Sequence, residues 1–246
     1  MSVKKRYFCI DGEWGIVHLP EKPNGFAVFI LGDINHFVNK KTSFWVQHPD
    51  RKKYIEKLRD KGYTVFLSNL YGRNWGSKKA VQLAEHVYHV VMKKEILNSK
   101  IHLVAEGMGA LVAINLIKKL DNIRSVVFIN PCLHLYHYYD KEKRNKLFFK
   151  RFCHELSLAH QIDEEFIEEL LLKQKNTWAS TKHMPIHIIH ETSHKRYSMD
   201  EHSKQFEHHR KKIGDPITLT IYLPGKPFSK YAKPTYTFFQ KYEKEL

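Results

Sequence analysis

A chain of 246 residues with 42% hydrophobic content is long enough for one large domain, or one domain carrying an insertion. No stretch reaches the ~18 apolar residues of a membrane span, and Met-Ser-Val-Lys-Lys-Arg leads into strand-like sequence, so no signal peptide is expected. A formal charge of +15 excludes a neutral surface and favours anions: nucleic acid, lipid heads, acidic proteins or phosphorylated metabolites.

The first elements alternate. Residues 6–11 and 14–19 form strand-like runs split by Gly12, a hairpin signal. Residues 26–31 read as a buried strand. Residues 50–61 read as a helix with Asp50 as N-cap and Gly62 after its end. A strand follows at 63–67. Between 78 and 96, Ala80, Leu83, Ala84, Val87 and Val91 fall on one helical face. A strand at 101–104, an all-round apolar helix at 110–120 and a strand at 126–129 continue the pattern. Regular alternation then stops until a strand at 185–189. A helix at about 199–213, a strand at 217–223 and a helix beginning near Pro234 complete the chain. Alternation of this kind predicts a mostly parallel sheet covered on both faces.

The interruption at 132–184 has its own character. Tyr136, Tyr138, Tyr139, Phe148, Phe149 and Phe152 interleave with Lys141, Lys143, Arg144, Lys150 and Arg151. An acidic amphipathic helix follows, with Asp163 as its expected cap and Ile162–Ile167 as a hydrophobic staple. Helices inserted between two sheet strands predict a lid, and aromatic residues there fit lid packing better than a nucleic-acid platform. The expected division is a core of 1–131 and 185–246 with a cap of 132–184.

The most informative stretch is His-Leu-Val-Ala-Glu-Gly-Met-Gly-Ala-Leu-Val-Ala at 102–113. It has the outline of a nucleophile elbow: an apolar strand, a tight turn of small residues, an apolar helix. In G-x-S-x-G the nucleophile stands third. Here Ala105, Glu106, Gly107, Met108 and Gly109 fill the five places, so the attacking oxygen is replaced by hydrogen.

With this elbow the chain resembles a capped α/β-hydrolase over nearly its whole length. Phe29-Ile-Leu-Gly-Asp33 looks like the strand end leading to an oxyanion loop. Tyr71-Gly-Arg-Asn-Trp-Gly-Ser77 looks like the turn into the next helix, and His190-Glu-Thr-Ser-His194 like the acid-bearing turn. The resemblance implies a nucleophile, an acid and a histidine in that order. The nucleophile place is Gly107, and the acid place falls on His194. The histidine place falls near Pro227 or Phe228, and the last histidine of the chain is His209, before the final strand. A serine hydroxyl attacks only when an imidazole takes its proton, so three lost places predict a degenerate triad and a protein that binds without turnover, a pseudoenzyme.

The expected binding residues are Asp33, Ile34, Asn35, Glu106, Gly107 and Met108. The Met108 amide and an amide near 33–35 would be the oxyanion donors, aided by the positive end of the 110–120 helix. Glu106 and Asp33 oppose an anion there. The expected ligand is a small molecule or an anionic macromolecule, with no cofactor and no metal. No RRM, KH, zinc-finger or basic-zipper signature supports sequence-specific nucleic-acid binding.

Two other chemistries are weighed. An active esterase or thioesterase could be rebuilt from Asp140, Ser68, Ser77 or the Asp33–His36 pair. His190-Glu-Thr-Ser-His194 also matches the H-E-x-x-H of zinc proteases, which needs a helix to bring both imidazoles to one face. Its context is strand-like. Cys9, Cys132 and Cys153 are odd in number and widely spaced, which predicts free thiols in a reducing, cytoplasmic compartment. Adjacency of Cys153 and His154 makes no catalytic dyad.

Overall fold

The computed structural model describes residues 4–175 and 183–243. The hairpin signal at Gly12 produces β1 (Lys5–Ile10) and β2 (Glu13–His18), paired antiparallel with Cys9 opposite Trp14. Five-residue apolar runs form β3 (Ala27–Leu31) and β4 (Thr64–Ser68), all of whose residues are buried. Strands covered on both faces read as continuous hydrophobic runs rather than as alternation. β5 (Ile101–Glu106), β6 (Ile123–Ile129), β7 (Ile186–Glu191) and β8 (Ile217–Tyr222) follow. They make one eight-stranded sheet in the order β1-β2-β4-β3-β5-β6-β7-β8, with all strands parallel from β4 to β8.

Helices cover both faces. α2 (Pro49–Asp60) begins with proline in its first turn, one residue before the expected Asp50 cap. His48 stands at the cap without a side-chain hydrogen bond, and proline suits the first turn, where an N–H has no intrahelical partner. A short α1 (Phe44–Gln47), capped by Ser43, precedes it and was not foreseen; four residues are too few for a periodic signal. α3 (Lys78–Lys94) buries the predicted face, including Leu83, Ala84, Val87 and Val91. α4 (Gly109–Lys119) buries seven of its eleven residues, as a central helix should. One core cluster joins α3 and α4 to the sheet, and a second packs Trp45, Tyr54, Leu58 and Phe239 on the opposite face. Each fully buried aliphatic or phenylalanine side chain contributes about 1.5–3 kcal/mol.

Between β6 and β7 lie α5 (Leu135–Asn145), α6 (Phe149–His160), a 3₁₀ turn at Glu164–Phe166 and α7 (Ile167–Lys173). Asp163 makes no side-chain cap bond; the chain starts instead with the 3₁₀ turn. Residues 176–182 of the expected insertion lie outside the described residues. A third apolar cluster ties Tyr138, Phe152, Leu156 and Ile167 to Trp75, Met108 and Tyr197 of the body. The helix expected at 199–213 divides into a π-helical turn, Met199–Lys204, and α8 (Gln205–Lys212). Near the C-terminus a 3₁₀ turn, Phe228–Tyr231, leads into α9 (Ala232–Gln240), with Pro234 inside its first turn. Among the described residues no helix is long and apolar enough to cross a membrane.

Candidate functional site

β5 ends at Glu106 and α4 begins at Gly109, so the chain reverses through Gly107 and Met108. Gly107 has φ +51°, in the left-handed region where a Cβ is strained. Its N–H donates to the Ile129 carbonyl at 3.1 Å and its carbonyl accepts from the Cys132 N–H at 2.9 Å, which ties the turn to the end of β6.

Above this turn stands Asp33, from the loop after β3. A Cβ added at Gly107 would overlap the Asp33 carboxylate. The Met108 N–H donates to Asp33 Oδ1 at 2.8 Å, the Tyr197 hydroxyl donates to the same oxygen at 3.2 Å, and Arg196 Nη1 lies 3.4 Å from Oδ2. Amide, phenol and guanidinium therefore converge on a carboxylate supplied by the chain itself. Tyr197 is fully buried, and burial followed by the Asp33 charge pushes its phenol well above its ordinary range, so it acts as a donor.

Glu106, beside the turn, is buried and receives both arms of the Arg51 guanidinium from α2. Arg51 also lies over the Phe228 ring, 4.1 Å from its centroid, and near Phe44 and Trp45. Phe228 is one of the two expected histidine places, and its ring packs edge-on to Trp45 and Tyr54. Pro227 caps the same 3₁₀ turn. His36 faces Glu106 with Nε2 at 3.6 Å, while its Nδ1 accepts from the Asp33 N–H at 2.9 Å and from Trp45 Nε1 at 3.2 Å. Burial, then the Arg51 charge, lowers its pKa to about 3. The imidazole is neutral with its acceptor nitrogen already engaged.

His194, the expected acid place, lies in the turn after β7, its ring stacked on Tyr197 at 5.7 Å. The carboxylate at that strand end is Glu191, which accepts from Ser193 Oγ at 2.7 Å and from the Tyr231 hydroxyl at 3.4 Å. The zinc-protease reading fails here. His190 lies within β7 and His194 in the turn after it, so the two are not on successive turns of a helix. His190 Nδ1 is engaged with Ser203 Oγ at 2.7 Å, and the described residues contain no group of three metal-ligating side chains suitably placed. The His190–Ser203 pair is itself wholly buried, out of reach of a substrate.

The residues proposed for a rebuilt hydrolase are engaged locally. Ser68 Oγ donates to the Trp14 carbonyl, Ser77 caps α3, and Asp140 pairs with Arg144. Cys153 is buried, whereas His154 is exposed and pairs with Glu164 at 3.5 Å.

Beside the elbow a cavity of about 410 Å³ opens between the 34–35 loop and α5–α6. Ile34, Asn35, Trp75, Tyr138 and Phe152 line it together with charges of both signs, Arg73 and Arg151 being paired with the lining Glu155, and Asp33, Glu106, Gly107 and Met108 are not among its lining residues. Trp75 adopts φ +45°, a strained backbone for a bulky residue. It is held by its N–H to Met108 Sδ at 3.2 Å, its indole to Glu155 at 3.3 Å, and stacking on Tyr138 at 5.6 Å. Sequence reasoning did not select Arg51, Trp75, Arg196 or Tyr197. The buried Glu106 was the available signal, since a buried carboxylate needs a cation.

No protein-family model matches this sequence, and no curated protein matches it. Solved structures do. The chain is similar to the acylaminoacyl peptidase of Pyrococcus horikoshii, with a TM-score of 0.72 and 15% identity over 98% of this chain. It spans 42% of that longer protein. It is also similar to Est1E from Butyrivibrio proteoclasticus (TM-score 0.67, 13% identity, 97% of this chain and 98% of that one). The Pyrococcus furiosus esterase Pf2001 matches with a TM-score of 0.65 and 13% identity, over 97% and 92% of the two chains. Strand order, helix placement and these likenesses agree: the chain has the α/β-hydrolase fold.

Proposed function

We propose that this protein is a catalytically inactive α/β-hydrolase-like chain that binds a small molecule between the elbow and the α5–α7 helices, which act as its cap. The observation that carries this reading is the Asp33 carboxylate. It stands where a nucleophile's side chain would rise from position 107 and takes the Met108 amide that would stabilise an oxyanion. Phe228 against Arg51 at the place of the histidine supports the same reading, because that place holds no base to activate a hydroxyl. The cavity of about 410 Å³ lies within the size range of small-molecule sites, and its aromatic walls with charged groups of both signs favour an amphipathic ligand. Three free cysteines, two of them buried, fit a reducing cytoplasmic setting.

The test is the purified chain against a panel of aryl esters and acyl thioesters, with binding of a fluorescent fatty acid followed through Trp75. Saturable binding with ester turnover at background is expected. Saturable turnover abolished by Asp33→Ala or Glu106→Gln would overturn the reading in favour of a rearranged esterase or thioesterase. That second reading draws its support from the esterases and peptidases that share the fold.

A further inference from the structure

The turn between α5 and α6 leaves two large apolar side chains in solvent. Lys146 ends α5 in the left-handed conformation, φ +61°, and the chain then presents Leu147, 73% exposed, and Phe148, 58% exposed. Most other apolar residues of these helices are packed: Leu135, Tyr138, Tyr139, Phe152, Cys153 and Leu156 face the third cluster, and Leu158 of α6, 67% exposed, is a lone exception away from the turn. The tip is therefore not a continuation of the core.

Its surroundings are cationic. Residues 140–151 hold Lys141, Lys143, Arg144, Lys146, Lys150 and Arg151 against only Asp140 and Glu142. Arg144 pairs with Asp140, Lys143 with Glu168 at 2.7 Å, and Arg151 with Glu155 at 3.0 Å. Lys146 and Lys150, which flank the apolar pair, make no ion pair among the described residues and are exposed. Phe148 and Arg151 also line the mouth of the cavity beside the elbow.

An apolar pair on a protruding turn, ringed by cations, matches the two-part requirement of a peripheral membrane contact. Apolar groups enter the acyl boundary, and basic side chains meet anionic headgroups while their stems lie along the interface. Either part alone binds weakly. A soluble partner with an acidic face would use the cations but leaves the exposed leucine and phenylalanine without a reason.

We propose that the Lys146–Lys150 turn docks this protein on an anionic lipid bilayer, with the cavity mouth turned toward the headgroups. This docking does not depend on whether the elbow is inactive.

The experiment is co-sedimentation of the full chain with vesicles of phosphatidylglycerol and phosphatidylcholine, and with phosphatidylcholine alone. Binding to the anionic vesicles, its loss on pure phosphatidylcholine and its weakening by salt are expected. Leu147→Glu with Phe148→Glu should reduce it by about tenfold or more, as should Lys146→Glu with Lys150→Glu. Ile96→Glu, fully exposed in the segment leading into the amino end of β5, should leave it unchanged. Leu147→Ser with Phe148→Ser serves as the milder pair should the glutamates disturb folding. Equal vesicle binding by wild type and tip variants overturns the proposal. So does tip-dependent self-association in vesicle-free solution, which assigns the turn to a second copy, or tip-dependent retention of RNA without vesicle binding.

Discussion

The two ends of β5 carry opposite arrangements of similar chemistry. At the amino end His102 Nδ1 lies 2.8 Å from Ser125 Oγ and its Nε2 lies 3.3 Å from Glu243, which also accepts from the Tyr63 hydroxyl. Serine, imidazole and carboxylate are thus all present, yet His102 and Ser125 have no exposed surface. At the carboxyl end the turn, the helix terminus and the amide donor are present, while position 107 carries no side-chain oxygen and the Met108 amide is given to Asp33. A triad is defined by access, direction and a place for developing charge, not by residue types in contact. The amino-end set clamps the C-terminal segment to the sheet. The carboxyl-end set holds the Asp33 carboxylate on the Met108 amide, against position 107.

The comparison breaks most visibly at Arg51. Its guanidinium is the cation for buried Glu106, and it supports Phe228 through the ring face. Arg51→Ala leaves a carboxylate buried without its partner, and a loss of about 3–5 kcal/mol is expected from urea denaturation. A loss under about 1 kcal/mol would mean that the pair behaves like an exposed ion pair and that the carboxyl end is open to water.

His36 gives the next largest effect. Its pKa is about 3 in the folded chain, against an ordinary value near 6.5. Below 6.5 the unfolded chain takes up a proton that the folded chain refuses, so stability falls with pH through that window toward 3. At about 1.4 kcal/mol per pH unit, His36 accounts for about 2 kcal/mol between pH 6.5 and 5. His36→Asn, whose carbonyl can still accept from the Asp33 and Trp45 N–H groups, should flatten the pH dependence of the urea midpoint by that amount. An unchanged slope would show that His36 titrates normally.

Gly107→Ser tests the occupied elbow directly. The new Cβ meets both the left-handed backbone and the Asp33 carboxylate, and a cost of about 1–3 kcal/mol is expected. Adding Asp33→Gly should recover about 1 kcal/mol or more of it, a coupling that distant sites do not show. Ester turnover should stay at background in both variants, because residues 223–231 hold no histidine. Robust turnover by the serine variant would place a base that the fold has hidden.

Much of the fold was legible because apolar runs alternate with helix-period segments. β3 is a continuous apolar run and β5 nearly so, as central strands of a parallel sheet are, and α4 is apolar on most sides, as a helix packed on such a sheet is. The positive φ of Gly107 was likewise readable from residue identity. What could not be read was the third dimension. Arg51 belongs to a basic run, 51–53, that looks like surface, and only the α2 register turns it inward toward Glu106. Asp33 was legible as an obstacle to an anion at the site, but not as the group that fills it. Its contacts with Met108 and Tyr197 span 75 and 164 residues of chain. Proline at 49 outweighed Asp50 as a helix start, and the π-helical turn within 199–213 is too short to set a periodicity of its own.

The smallest expected effect belongs to the amino end. Ser125→Ala removes one buried hydrogen bond and leaves His102 Nδ1 without that partner, while Glu243 remains near Nε2. Burial holds the imidazole below its ordinary pKa, and Glu243 pulls the other way. The ring is therefore held by a neutral hydrogen bond that alanine deletes without stranding a charge. A loss of about 1 kcal/mol is expected, with binding of the fluorescent fatty acid unchanged. Were Ser125→Ala instead to abolish a measurable hydrolysis while sparing stability, the chemistry would lie at the amino end of β5, in a set that only an opening of the C-terminal segment could expose.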